Sequence, residues 1–258
     1  MKKISLAIPT YFSSKYLPVL LKSASNSKFI DEIVISDDSA DALETEAIKK
    51  IIKKFNNKNI IFIENPANKG AFDNKYQAIS KCSNEIVYQI DSDNITGKNL
   101  NTTLINIFDN FDENQIYYPA TLKQFFYNYE SKIFPNKNIV RLSLEDKIID
   151  SFIVSNSINN NKQITVDKNI FWILNCGNFI VSKKSYLNVM KDYYENDNIP
   201  LAADALAISY LWLKSGKVIL LNKDLYHFHR KREDSVSLAF KDESVKSFDY
   251  FTEKFKSL

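Results

Sequence analysis

The chain has 258 residues, 45% of them hydrophobic and 13% aromatic, which is enough to bury a full core and too apolar for disorder. A formal net charge of +3 with no long run of Lys or Arg excludes the electrostatic footprint of a nucleic-acid binder. Two cysteines far apart, Cys82 and Cys176, exclude a disulfide framework or metal-ligand spacing and read as free core thiols of a reducing cytoplasm.

The opening "MKKISLAIPTYF" begins with two lysines and an apolar run that halts at Pro9. It is too short for a signal h-region or a membrane span and reads as a first strand. No other segment reaches the roughly 20 apolar residues a membrane helix needs. A pI near 8.5 allows a peripheral contact with anionic lipid, although no amphipathic anchor stands out. "YLPVLLKSAS" follows as an amphipathic helix, "DEIVISDD" as a second strand and "ADALETEAIKKIIKKF" as a second helix, with Asp41 and Glu44 placed as a capping box. "KNIIFIEN" is a strand, "AFDNKYQAISKC" a helix and "NEIVYQID" a fourth strand. This alternation predicts an α/β fold with a mostly parallel, Rossmann-like sheet covered by helices on both faces.

Beyond residue 94 the pattern loosens. "NLNTTLINIFDNF" predicts a helix and "QIYYPA" a strand, while residues 121–170 mix aromatics with an Asn-rich stretch, "SNSINNNKQ", expected to be a mobile loop. "NFIVSKKSYLNVM" predicts strand then helix, "ADALAISYLWLKSG" a helix stopped at Gly216, and "KVILLNKDLYHFHR" one or two strands. A closing helix follows in "ESVKSFDYFTEKFKSL". No repeat or linker divides the chain. The expectation is one domain over 1–258, with 1–100 forming the nucleotide-sugar-binding half and 101–258 the acceptor-binding half and C-terminal helix, the sheet carrying a smaller C-terminal acceptor-side lobe.

Ligands on open parallel sheets bind beyond the carboxyl ends of the strands. Those ends carry Pro9-Thr10-Tyr11, Asp37-Asp38, Asn65 and Asp91-Ser92-Asp93. Asp91 and Asp93, at i and i+2 on a strand end, project the same way. Two convergent carboxylates with phosphate oxygens are how Mg²⁺ or Mn²⁺ holds a nucleotide diphosphate, and a solvated turn is the plainer alternative. "HFHRKR" gathers both histidines of the chain and two of its three arginines within six residues. On a strand His227 and His229 share a face; imidazole suits a metal and the Arg fork suits phosphate. A solvated basic strand is the alternative.

"AIPTYFSSKYLPVLLKSA", "EIVISDDSAD", "NKGAFDNKYQAI" and "EIVYQIDSDN" come in an order and spacing that resemble the family 2 glycosyltransferases of GT-A fold. The likeness covers about the first 100 residues and continues through "NCGNFIVSKKSYL", "AADALAISYLWLKSGKVI" and "LYHFHRKREDSVS". The resemblance implies that Pro9, Thr10 and Tyr11 line the nucleotide base and that Asp37 or Asp38 accepts from uracil or touches the ribose. It implies that Asn68, Lys69 and Gly70 turn the chain close to the nucleotide, and that Asp91 and Asp93 meet ribose, sugar and metal. It further implies that Arg230, Arg232 and one of the two histidines, with His229 preferred, meet the metal or diphosphate.

Asp204 stands where the family often carries Glu-Asp before a helix, with the Asp as catalytic base. Here the pair is Ala203-Asp204, and an ordinary helix N-cap competes for the Asp. Trp172, Asn175, Cys176 and Gly177 would lie near the acceptor by the same likeness. The implied activity is a Mn²⁺- or Mg²⁺-dependent inverting transfer from a nucleotide-diphospho-sugar, most simply a UDP-sugar, to a glycan or lipid-linked hydroxyl in the cytoplasm. Two rivals stand beside it: a sugar-nucleotidyltransferase, disfavoured because "PTYFSSKY" has no Gly, and a non-catalytic nucleotide-sugar-binding subunit.

Overall fold

In the computed structural model the described residues are 2–55, 59–128, 132–141, 148–160, 170–171, 173–196, 203–230 and 241–258. Alternation in the first two strands decides the architecture. In β1 (Ile4–Thr10), Ile4, Leu6 and Ile8 join one buried cluster and Ala7 another; in β2 (Ile30–Asp37), Ile33 and Ile35 face one way and Val34 the other. Strands apolar on both faces must lie inside a sheet covered on both sides.

One cover is α1 (Leu17–Ser25), α2 (Ala42–Ile52) and α4 (Leu100–Asp109), contributing Leu20, Leu21, Ile48, Leu104 and Ile107. The other is α3 (Ala71–Ser80), α5 (Ser151–Asn159), α6 (Lys183–Asn196), α7 (Asp204–Lys214) and α8 (Lys241–Lys256). These contribute Phe72, Ile79, Val154, Tyr186, Leu206, Trp212, Phe251 and Phe255. Trp212 is fully buried and its indole N–H is satisfied by the Val218 carbonyl at 2.8 Å.

Among the described residues the sheet has ten strands. β3 (Asn59–Glu64), β2, β1 and β4 (Ile86–Gln89) run parallel, then β9 (Phe179–Ser182) lies antiparallel between β4 and β6 (Gln115–Asn128). β10 (Val218–Arg230) runs parallel to β6, and β5 (Ile95–Thr96) pairs antiparallel with it. β7 (Lys132–Arg141) forms a hairpin with β6, and β8 (Ile148–Ile149) pairs with β10. Register places Thr10 opposite Asp37, and Asp37 opposite Glu64, while Ala7 stands opposite Gln89. The polar ends of all four parallel strands therefore finish at one level.

Two local expectations change. The Asn-rich stretch is helical through Asn159, because Asp150 caps α5 by accepting from the Ile153 N–H at 2.8 Å and Val154 and Ile158 reach the core one turn apart. Residues 161–169 lie outside the described part. The capping box of α2 is half made: Asp41 accepts from the Glu44 N–H at 2.8 Å, but the Glu44 carboxylate leaves the helix for Ser14.

Candidate active site

At the end of β2 both carboxylates are fully engaged by the protein. Asp37, 1% exposed, accepts from the hydroxyls of Thr10 (3.0 Å), Ser39 (2.7 Å) and Thr45 (3.2 Å) and from the Ser39 N–H (3.3 Å). Asp38, 2% exposed, accepts from the backbone N–H groups of Lys69 and Gly70 at 2.9 Å each and from the Asn65 amide at 3.1 Å. Burial raises the Asp38 pKa, and these donors work against the shift. Neither residue caps α2, which Asp41 does. Asp37 ties the end of β1 to β2, and Asp38 ties residues 65–70 to β2.

Gly70 sits at φ +90° as the first residue before α3, with its N–H shared between Asp38 and the Asn68 side chain at 2.8 Å. A Cβ there would meet nothing within 4 Å, so the requirement is conformational rather than spatial. The Lys69 ammonium turns to Gln77 at 2.6 Å. After β1, half-buried Pro9 and buried Thr10 lead to Tyr11 and Phe12, two exposed rings in edge-to-face contact at 4.9 Å. Phe12 has φ +45°, and its N–H donates to Ser39. Ser14 donates its N–H (2.6 Å) and hydroxyl (2.7 Å) to the two Glu44 oxygens. The loop thus presents two aromatic faces on a fixed backbone, as a surface for a flat ring requires.

The end of β4 is built differently. Asp91 and Asp204, 113 positions apart in the chain, meet on one lysine: Lys75 Nζ lies 3.0 Å from Asp91 Oδ1 and 2.6 Å from Asp204 Oδ2. The lysine side chain is 5% exposed. Burial alone would favour its neutral amine, but the Asp204 and Asp91 charges outweigh that and raise its pKa, so it is an ammonium. Burial pushes the Asp91 carboxyl above the usual range against the pull of Lys75, with Asp93 and Asp204 adding to the rise. Asp204 does not act as a cap: the N-cap of α7 is Ala203, with no side-chain hydrogen bond, and the Asp204 carboxylate reaches across to α3.

Gly177 covers this ion pair. A Cβ on it would lie 2.7 Å from Asp91 Oδ2 and 2.7 Å from Lys75 Nζ, so the close approach needs the missing side chain. The turn after Asp91 is held from beneath: Asn178 Oδ1 accepts from the Asp91 N–H at 2.7 Å and from the Asn94 amide at 3.3 Å. The other end of Asn178 meets His227 Nε2 at 3.1 Å. His227 is 1% exposed, so through Asn178 it supports the turn from the core side. Cys176 is buried, its thiol raised to about 12 by burial and donating to the Asn178 carbonyl. The His229 ring, the Arg230 guanidinium, Arg232 and Trp172 lie outside the described part.

Lys75 and Asn178 carry no role that the sequence assigned, and Glu44 was expected only as the second half of the α2 capping box. A signal for Lys75 was present, because it falls on the apolar stripe of α3 with Phe72, Ala78, Ile79 and Cys82, all buried. A lysine on the inward face of a helix needs a carboxylate to meet it.

Which hard cation these carboxylates suit can be judged from their chemistry. Asp91 and Asp93 offer hard oxygen donors close enough to repel, as a divalent Mg²⁺ or Mn²⁺ prefers. One Asp91 oxygen already holds Lys75, so a divalent ion here would share Asp91 with the lysine and draw on Asp93 as well. Among the described residues no three His, Cys, Asp or Glu side chains form a ready-made cage, so a metal here would complete its shell with phosphate and water.

The profile of Glycosyl transferase family 2 matches residues 5–169, well over half the chain. The chain belongs to this family. Solved structures agree on the GT-A fold. TarS residues 1–349 from S. aureus, crystallised with UDP, superpose with TM-score 0.59 at 18% identity over 98% of this chain and 65% of that one. The same TarS segment with UDP-GlcNAc gives 0.56 at 19% identity over 91% and 60%. GalNAc-T7 with UDP, GalNAc and Mn²⁺ gives 0.64 at 14% identity over 98% and 50%. The chain thus spans less than two thirds of the length of these structures. No curated protein matches it. No helix of the described residues is long and apolar enough to cross a membrane.

Proposed function

We propose that this family 2 member moves a sugar from a UDP-sugar to a hydroxyl of a glycan or lipid-linked acceptor with inversion at the anomeric carbon, using Mn²⁺ or Mg²⁺. The observation that carries the reading is the pairing of Asp204 with Asp91 through Lys75 at the carboxyl edge of a family 2 sheet. The crystallised relatives hold UDP, UDP-GlcNAc, or UDP with Mn²⁺, which supports the choice of nucleotide and metal.

In this reading the base stacks on the Tyr11 ring, which Phe12 meets edge to face, and the ribose and sugar pass over Asp91. Asp37 and Asp38 act from behind, fixing the loop after β1 and residues 65–70. Asp93 and Asp91 would hold the divalent ion, which would supply positive charge to offset the charge developing on the departing phosphate. By the family likeness, Arg230, Arg232 and His229 of the "HFHRKR" run would assist it. Asp204 accepts the proton of the acceptor hydroxyl as that oxygen attacks the anomeric carbon and the bond to the diphosphate breaks. Lys75 holds Asp204 Oδ2, and the proton goes to the other oxygen, Oδ1, of a carboxylate that does not cap its helix.

The test is a screen of UDP-sugars for hydrolysis and transfer with Mn²⁺, Mg²⁺ or EDTA, reading the anomer of the product by NMR. The expected result is metal-dependent turnover of one UDP-sugar with inverted product. A retained anomer, or turnover unaffected by EDTA, would contradict the mechanism.

A further inference from the structure

Lys75 is an unusual expense for a helix to bear. Burying a lysine between two carboxylates desolvates three charges and freezes a long side chain, and well-packed apolar residues serve stability as well or better. The position is otherwise suited to an apolar side chain, with Phe72, Ala78 and Ile79 on the same stripe and the Tyr118 and Tyr186 rings in the same buried cluster. Three elements converge there, each bringing one charged group: α3 with Lys75, the β4 end with Asp91 and the first residue of α7 with Asp204. The backbone also gives way, since Gly177 leaves the space that a Cβ would take from both Asp91 and the ammonium.

We propose that Lys75 is a positioning residue for the transfer, its ammonium tying the donor-side carboxylate Asp91 to the acceptor-side carboxylate Asp204 so that base and donor keep one register. The inference rests on the proposed function above. Because Lys75 holds both carboxylates, a shift of α7 relative to the β4 end would be felt at once by the base. Misplacing a reacting group by about 1 Å costs on the order of 10²-fold in rate.

The experiment compares wild type with Lys75→Met, Lys75→Arg and Gly177→Ala. Each is checked for cooperative melting, titrated with UDP and Mn²⁺ by calorimetry, and assayed for hydrolysis of the UDP-sugar turned over by wild type. In Lys75→Met the expected loss is on the order of 10²-fold in kcat, with donor KM and UDP affinity within about threefold of wild type. Lys75→Arg, which keeps a cation of similar reach, should recover at least about a tenth of wild-type kcat. Gly177→Ala leaves the lysine in place but pushes on its ammonium, and should lower kcat in the same direction even if Lys75→Met does not fold. A folded Lys75→Met with wild-type kcat would overturn the proposal, as would Gly177→Ala at full rate where Lys75→Met cannot fold. Loss of UDP affinity in parallel with kcat would make Lys75 a diphosphate contact and also overturn it. A wild type that neither binds UDP nor turns over any UDP-sugar would instead overturn the function on which the proposal rests.

Discussion

Two acidic pairs stand at the ends of the strands that flank β1 and read alike: Asp37-Asp38 after β2, and Asp91 with Asp93 after β4. Their surroundings separate them. The first pair is held by hydroxyls and backbone N–H groups, neutral donors from the end of β1, Ser39 and residues 69–70. Of the second, Asp91 is held by a lysine that also holds a carboxylate from a distant helix. A carboxylate closed in by neutral donors behaves as a latch. One balanced by a shared, incomplete counter-charge is open to a ligand.

The largest expected effect lies on the open side. Asp204→Asn should reduce kcat by about 10²–10⁴-fold, the range for removing a general base, with UDP affinity retained and the fold intact because Lys75 keeps Asp91. Equal losses in kcat and UDP affinity would erase the distinction between base and donor site. On the latch side, Asp38→Ala strands the Lys69 N–H, leaves the Gly70 N–H to Asn68 alone and leaves the Asn65 amide only a long contact to Asn74. The cost should be roughly 3 kcal/mol in urea unfolding, with faster hydrogen exchange at residues 69 and 70. A stability change under about 0.5 kcal/mol would show that Asp38 is not a latch.

Glu44→Ala releases the Ser14 N–H and hydroxyl and should cost about 1 kcal/mol and weaken UDP binding a few-fold through the Tyr11–Phe12 loop, read by melting and calorimetry. The smallest effect is chemical. Burial raises Cys82 and Cys176 to about 12, so at pH 8 the thiolate is a minute fraction and the thiols are enclosed. Neither should react with a disulfide reagent until denaturant is added; fast reaction of Cys176 would show that the turn beneath Asp91 opens readily.

The layout of the first four strands was legible because each is a short apolar run ending in polar residues, with helices between them at helical spacing. The common edge followed from that order alone. Lys75 escaped because lysines on helices ordinarily extend into solvent, and only its place on the apolar stripe of α3 argued otherwise. His227 was legible as chemistry but not in direction: the strand pattern puts it on a face, whereas Asn178, 49 positions away, decides what its ring meets. The α5 error came from weighing asparagine content above the Asp150 cap and the Val154–Ile158 spacing. Competition for Asp204 between base and N-cap could not be resolved locally, since its partner lies on α3, 129 positions earlier.

The most direct measurement is a calorimetric titration of UDP into wild type and Asp93→Ala, each with Mn²⁺ and with EDTA. The account predicts wild-type binding that weakens at least about tenfold in EDTA, and an Asp93→Ala variant equally weak with or without the ion. Binding of UDP by Asp93→Ala that matches wild type and still depends on Mn²⁺ would contradict it.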